Sequence, residues 1–390
     1  MRLKGFRVRA ARPPRELELV FLLAGTDARR AELSGAAREV LERADFGLLE
    51  EELRDRRLLP LIGSRALAVG ADLAPEGFRD AVDRARAAAR AQGLAVEWAT
   101  RRVVTALEAA GIRALPLKGP LLASDVHGDV GMRETADADV LVGSERLDGA
   151  VRVLLDDGFA APTDPRDHRG LPDLHFAMDH PTLARIELHW RVHWYDRGFS
   201  QDMLARADAG ADGLPRPGPD DLAASLLLFY ARDGLHGVRP VADLAAWWDR
   251  YGGDLSGPFL EGHVRSYPEL APALAAAAIS AERVGGVPAT GWLGGGLRAG
   301  RRIAMATRLG DWTQHGNRDQ LRANISLVDA LLGPPGSARA FIRRELLRGG
   351  AGGIARAVHG AKVAFRYGLA LWGVRGSRSW ASVPASVDER

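Results

Sequence analysis

The chain of 390 residues contains no cysteine. That absence excludes disulfides, thiolate-bound metals and cysteine nucleophiles together, and it fits a reducing compartment. Long apolar runs are also missing: nothing approaches the roughly 20 uninterrupted apolar residues that span a bilayer. The apolar stretch near the start is short and broken by Glu16 and Glu18, which argues against a cleaved signal peptide. The expectation is a cytoplasmic protein. Lysine is scarce, whereas Ala, Arg and Gly are abundant. A strong charge of one sign is absent from most of the chain. The net charge is only +3, and ten Lys or Arg against three Asp or Glu lie in residues 333–390, so the body before them is mildly acidic. With 46% hydrophobic and 26% charged residues, the composition is that of a folded globular protein, long enough for two or three structural units.

The local patterns divide the chain into four regions. Residues 1–108 read as a helical region: 37–57 and 76–108 mix Leu and Ala with charges at helical spacing. Pro75 stands where a helix starts and Gly111 stands just past a helix end. Residues 109–200 read as a mixed α/β core. Arg113 to Lys118 is extended in character, and Asp139-Val-Leu-Val-Gly143 is a compact apolar run. Residues 144–158 form a helix closed by a glycine, and Phe159 begins another extended piece. Two strands, 174–179 and 184–190, are joined by Asp179-His180-Pro181-Thr182. Pro215, Pro217 and Pro219 mark a boundary. Beyond it the region 201–332 is helical, including 222–231 and 241–251. Gly333-Pro-Pro-Gly336 opens a basic tail, 333–390, where Ile354, Val358, Ala361, Phe365 and Trp372 recur at helical intervals beside Arg356, His359, Lys362 and Arg366. Such an amphipathic helix either packs on the body or makes a peripheral contact with a membrane, a protein partner or nucleic acid.

Asp137 and Asp139 are one residue apart, so on a strand both carboxylates project from the same face. Repelling anions this close are costly unless a cation compensates them, and hard ions such as Mg²⁺ suit oxygen donors. A third acid, Glu187, alternates with Ile186, Leu188 and Trp190 and shares a strand face with His189. Its partner is either a metal or a neighbouring arginine, Arg185 or Arg191. Three carboxylates on adjacent strands suit nucleotidyl transfer by a two-metal arrangement, with Glu187 also placed to take a proton. Lys118 would meet phosphate charge, and Gly119 would let the backbone come close.

Leu117-Lys118-Gly119, Gly131-Met-Arg133, Asp137-Ala-Asp139-Val-Leu-Val142 and Glu187-Leu-His189-Trp190 stand in an order and spacing that resemble the uncharacterised bacterial nucleotidyltransferase family of the polymerase-β-like superfamily. The similarity runs from about Asp45 to Asp243. The resemblance implies an α+β fold, a small mixed sheet flanked by N- and C-terminal helical regions. It implies Asp137, Asp139 and Glu187 as catalytic, metal-binding carboxylates, and Lys118, Gly119, Arg133 and His189 as nucleotide-binding candidates. Two Mg²⁺ ions, or Mn²⁺, would serve as cofactors and a nucleoside triphosphate as substrate. There are two departures. Lys118-Gly119 stands where the wider superfamily has a Gly-Ser turn, and Glu187 stands where Asp is common.

The acceptor expected is a hydroxyl of a small molecule or of a peptide or protein. A mildly acidic body disfavours extended nucleic acid. The alternatives are a non-catalytic module of the same fold that recruits a partner or membrane, and phosphoryl transfer with the same metals. Arg133 serves either phosphate or a structural ion pair, and His189 either a substrate phosphate or a hydrogen bond within the sheet. Asp125, His127 and Asp129 read as turn residues of a glycine-containing loop. His168, His175, His180 and His193 lack zinc-site spacing. The 226–230 stretch and Trp247-Trp248 read as core, and His236, Arg239 and Asp243 as more distant substrate contacts.

Overall fold

A computed structural model describes residues 15–161, 174–294, 300–310 and 318–334. His168 and the amphipathic segment of the basic tail lie outside the described residues. Six helices precede the sheet: α1 (Arg15–Ala24), α2 (Asp27–Glu32), α3 (Ser34–Leu41), α4 (Phe46–Asp55), α5 (Ser64–Gly70) and the long α6 (Glu76–Ala109). The helical pattern of 37–57 is split in two. Asp45 adopts an extended conformation, and its carboxylate accepts from the amides of Gly47 and Leu48 at 2.9 and 3.1 Å. Those amides have no intrahelical partner, so an N-cap in mid-pattern starts a new helix there. α6 follows Pro75 and buries a stripe from Phe78 through Val82, Ala89, Val96 and Val103 to Leu107.

The sheet comprises β1 (Ala114–Pro116), β2 (Asp137–Val142), β3 (His175–Met178) and β4 (Arg185–His189), in the order β1-β2-β4-β3. β1 runs antiparallel to β2, β2 parallel to β4, and β3 antiparallel to β4. α7 (Pro120–His127) follows β1, and α8 (Leu147–Asp156) follows β2. After the sheet come α9 (Phe199–Arg206) and a small hairpin of β5 (Asp208–Ala209) with β6 (Pro215–Arg216). α10 (Pro219–Arg232) and α11 (Arg239–Tyr251) come next, then α12 (Glu261–Ser266), α13 (Ala271–Gly285), α14 (Arg301–Leu309) and α15 (Arg318–Leu332). This is the α+β arrangement expected, a small mixed sheet with helices on either side in sequence. The prolines at the boundary have distinct uses. Pro215 ends up in the hairpin and Pro219 in the first turn of α10, where a missing N–H costs nothing.

The strand period of two sorts the side chains. Ala138, Val140 and Val142 of β2, Ile186 and Leu188 of β4, and Phe176 and Met178 of β3 join Val96, Val103 and Leu107 of α6 and Leu154 of α8 in one core cluster. The opposite face carries Asp137, Asp139 and Leu141, with Glu187 and His189 beside them. Leu115 and Leu141 from this face belong to a second, larger cluster. That cluster also holds Phe21 of α1, Leu49 of α4, Leu227 of α10, Trp247 of α11 and Ala277 of α13, so helices before and after the sheet share a core.

Candidate functional site

Parallel pairing of β2 with β4 sets Asp139 directly opposite Glu187, and Asp137 opposite Arg185. Asp139 sits at the base of the face, 2% exposed. Its Oδ1 lies 2.9 Å from His189 Nε2 and 3.2 Å from Lys118 Nζ. Burial alone would raise this carboxyl, but the Lys118 ammonium and the His189 hydrogen bond outweigh it and hold Asp139 below the usual carboxylate range. Asp137 is half-buried and has no hydrogen-bond or ion-pair partner among the described residues. Burial first, then the charges of Asp139 and Glu187, push its carboxyl upward. Glu187 is half-buried as well. Against burial and the Asp139 charge, the His189 imidazole 3.7 Å away holds its carboxyl below its ordinary value.

His175 joins this face from β3, where it pairs with His189 across the strands. Its Nε2 lies 3.5 Å from Glu187 Oε2, while His189 Nε2 lies 3.7 Å from the same oxygen. The two imidazole rings are 4.6 Å apart, tilted by 38°. Burial, reinforced by His189, brings the His175 imidazole down to about 4, so it is neutral near pH 7. The spacing between histidines did not point to this residue. The signal was the alternation of His175 and Ala177 with the apolar Phe176 and Met178, which puts His175 on the face of Glu187 once β3 and β4 are paired. Among the described residues, donor atoms of His175, Glu187 and His189 lie within 4.8 Å of one another. Asp220, Asp221 and His263 do likewise, but there the Asp221 carboxylate is held by the Arg206 guanidinium at 2.7 and 3.0 Å and by His263 at 2.8 Å.

Lys118 and Gly119 form the turn from β1 into α7. The Leu117 amide donates to the Asp139 carbonyl at 3.1 Å, which delivers Lys118 to the Asp139 side chain. Gly119 has φ +86°, a conformation that an L side chain resists, and a Cβ there would lie 3.3 Å from Thr135 Cγ2. Phe229 of α10 covers the same corner. Lys118 Nζ and the Arg232 guanidinium each lie 4.8 Å from its ring centroid, and the His189 ring meets it edge-on. Behind Lys118 a cavity of about 520 Å³ opens between Pro116, Leu121, Leu222 and Tyr251.

Arg133 is turned toward α11. Its Nε donates to Asp243 at 3.0 Å, and His127 Nε2 lies 2.9 Å from the other carboxylate oxygen. Of the two roles weighed for Arg133, the ion pair is thus present. Asp243 is fully buried, yet Arg133 and His127 keep its carboxyl well below the ordinary range against the effect of burial. Arg239 donates to the Glu134 carbonyl, and burial pulls its guanidinium down to about 10. The loop expected around Asp125, His127 and Asp129 is corrected in part. Asp125 and His127 lie on α7, with Asp125 accepting from the Tyr251 hydroxyl at 2.7 Å, while Asp129 is the turn residue, capping Gly131 at 2.8 Å. Gly131 fits close against α6, since a Cβ would lie 2.8 Å from the Arg86 carbonyl oxygen.

The sequence profile of a family described as uncharacterised nucleotidyltransferase matches residues 42–285. The chain belongs to that family. The matched span runs from the end of α3 to the end of α13, and so includes the sheet and the helices that cover it. A comparison with curated proteins found no match. Membership in a nucleotidyltransferase family implies a nucleoside triphosphate as substrate. In this chain the acids, Lys118 and the two imidazoles stand on one sheet face, and Arg133 is paired with Asp243 of α11.

Proposed function

We propose that this chain transfers a nucleoside monophosphate from a nucleoside triphosphate to a hydroxyl of a small molecule, peptide or protein, in a Mg²⁺-dependent reaction in the cytoplasm. The observation that carries the reading is the pairing of Asp139 with Glu187 while Asp137, two residues along, stands unpartnered beside them. The residues fit hard divalent ions. Three carboxylates share a face, and a cation would relieve both the burial and the mutual repulsion that push Asp137 upward. Asp137, Asp139 and Glu187 would hold the ions, which supply Lewis-acid stabilisation of phosphoryl charge when bound.

The chain's own groups have separable tasks. Lys118, held against Asp139, offers its ammonium to the triphosphate, and the Gly119 backbone lets a phosphate oxygen come close. Glu187, ionised at neutral pH, accepts the proton of the attacking hydroxyl. The acceptor oxygen forms a bond to the α-phosphorus, the bond from that phosphorus to the bridging oxygen breaks, and pyrophosphate leaves. His189 orients the Asp139 carboxylate, and Arg133 fixes the approach to β2 through Asp243. The catalytic core in this reading is 109–200, with helical regions 1–108 and 201–332 around it.

The Lys118–Asp139 pair also favours a second reading. An ammonium already neutralises the most buried acid, as in a module that keeps the sheet but recruits a partner rather than reacting. Calorimetric titration with ATP, GTP, CTP and UTP, with and without Mg²⁺, separates the two. The expected result is Mg²⁺-dependent binding that Asp139→Asn abolishes, followed by transfer of α-labelled but not γ-labelled phosphate at a rate lowered at least on the order of 10²-fold in that variant. Folded wild-type protein that binds no nucleotide would turn the reading toward the recruiting module.

A further inference from the structure

The three acids are not the whole donor set of this face. Glu187 Oε2 has one imidazole nitrogen at 3.5 Å and a second at 3.7 Å, from His175 and His189. Four donors at about 2.1 Å from a tetrahedral ion lie about 3.4 Å from one another, so these separations are already close to those of a bound first-row divalent ion. Asp139 Oδ1, 2.9 Å from His189 Nε2, stands at the edge of this group. We propose that His175, Glu187 and His189 form an imidazole-bearing cation subsite, with Asp139 at its edge, that takes Mn²⁺ or a similarly borderline first-row ion in preference to Mg²⁺.

Three observations bear on this. The first is burial: His189 is fully buried and His175 is partly so, which makes two imidazoles beside one carboxylate an expensive arrangement without a purpose. The second is protonation. Nδ1 of both rings is buried without a hydrogen-bond partner, while Nε2 of His189 faces the Asp139 carboxylate at 2.9 Å and carries the proton in the metal-free chain. A cation shifts that proton to Nδ1 and takes the Nε2 lone pair, and Asp139 then keeps Lys118 as its counter-charge. The third is chemistry. Mg²⁺ is bound by oxygen and gains little from imidazole, whereas imidazole suits the later first-row ions, and affinity rises from Mn²⁺ along that series. Asp137 lies outside the imidazole group and remains an all-oxygen position. Glu187 belongs to both, so the ion specificity of this face is set where the two meet.

The inference deepens the function proposed above through Glu187, but its test reads the ion without nucleotide or turnover. Metal-free protein is titrated with Mn²⁺ and with Mg²⁺, and bound Mn²⁺ is examined by pulsed electron paramagnetic resonance for coupling to ¹⁴N. Wild type is expected to bind Mn²⁺ more tightly than Mg²⁺ and to show the coupling of directly bound imidazole. His175→Gln is expected to weaken Mn²⁺ at least about tenfold, to reduce the ¹⁴N modulation and to leave Mg²⁺ binding little changed. Asp137→Asn keeps the coupling. Mn²⁺ bound to wild type without ¹⁴N coupling, no preference over Mg²⁺, or unaltered Mn²⁺ affinity in folded His175→Gln would each overturn the proposal. The wild-type spectrum decides even where a variant folds poorly. Nitrogen coupling without α-phosphate transfer would keep the subsite and remove the transferase reading. Transfer without coupling would do the reverse.

Discussion

Asp137 and Asp139 stand two residues apart on one strand face and meet opposite electrostatic surroundings. Asp139 is compensated by Lys118 and His189, whereas Asp137 has burial and two neighbouring carboxylates against it. A carboxyl whose folded value is raised binds its proton more tightly in the folded state. Its burden is therefore absent at pH values below the unfolded value and fully present above the folded one. Asp137→Asn is thus expected to stabilise the metal-free protein at pH 7, by up to about 1 kcal/mol as for other relieved charge conflicts, a gain that shrinks as pH falls through the folded value and is gone by about pH 4, while abolishing Mg²⁺-dependent nucleotide binding. Thermal melts in chelator across that pH range check it. A variant that melts below wild type at pH 7 would show that repulsion is not what Asp137 carries. At this scale much of the site was legible. The spacing of the two aspartates puts both on one strand face, and the alternation around Glu187 puts it with His189 on one face of another strand. The His189–Asp139 hydrogen bond, the Lys118 ammonium against Asp139 and the arrival of His175 were not, because each depends on which strands pair and in what register.

Among elements, the least obvious junction is between the approach to β2 and α11. Asp243 is fully buried and shared by Arg133 and His127, and Arg239 lies close by within the same helix. Removing the carboxylate leaves buried cations without a counter-charge, which costs several times the worth of a surface pair. Asp243→Ala is expected to cost about 3 kcal/mol, and Arg133→Met combined with it less than the two single changes added together. Urea denaturation of the four proteins measures this; additivity within about 0.5 kcal/mol would mean that the two groups are not coupled. Elements with strong periodicity were read well, as with α6, α10, α11 and the β3–β4 hairpin. Two misreadings share a cause. In the helical pattern of 37–57 Asp45 counts as one more charge, whereas in the fold it is the cap that divides α3 from α4. The polar run ending α7 reads as loop by composition, although Pro120 at its first turn and Gly128 after its last residue are the marks of a short helix.

At the scale of the whole molecule, periodicity does not say which helix packs against which. The clusters do: α1 and α4, far ahead of the sheet in sequence, share a core with α10, α11 and α13, far behind it. The sheet is covered on both sides. α6 and α8 lie on the face of Val140 and Ile186, and on the other face Phe229 of α10 covers His189, while Leu115 and Leu141 enter the larger core. A core drawn at 109–200 therefore contains every acid of the candidate site but neither α6 nor α10. Cut out alone, it would expose Val140, Leu141, Ile186 and Leu188, all fully buried in the intact chain. Each such side chain is worth about 1.5–3 kcal/mol on burial, and a domain's net stability is only about 5–15 kcal/mol. Residues 109–200 expressed alone are thus expected to show no cooperative melt, poorly dispersed amide resonances and no Mg²⁺-dependent nucleotide binding, while the full chain shows all three native properties. A well-dispersed spectrum from that fragment would show that the sheet carries its own stability. The helices would then act on the site only by closing over it, and the Arg133–Asp243 junction would matter for substrate rather than for folding.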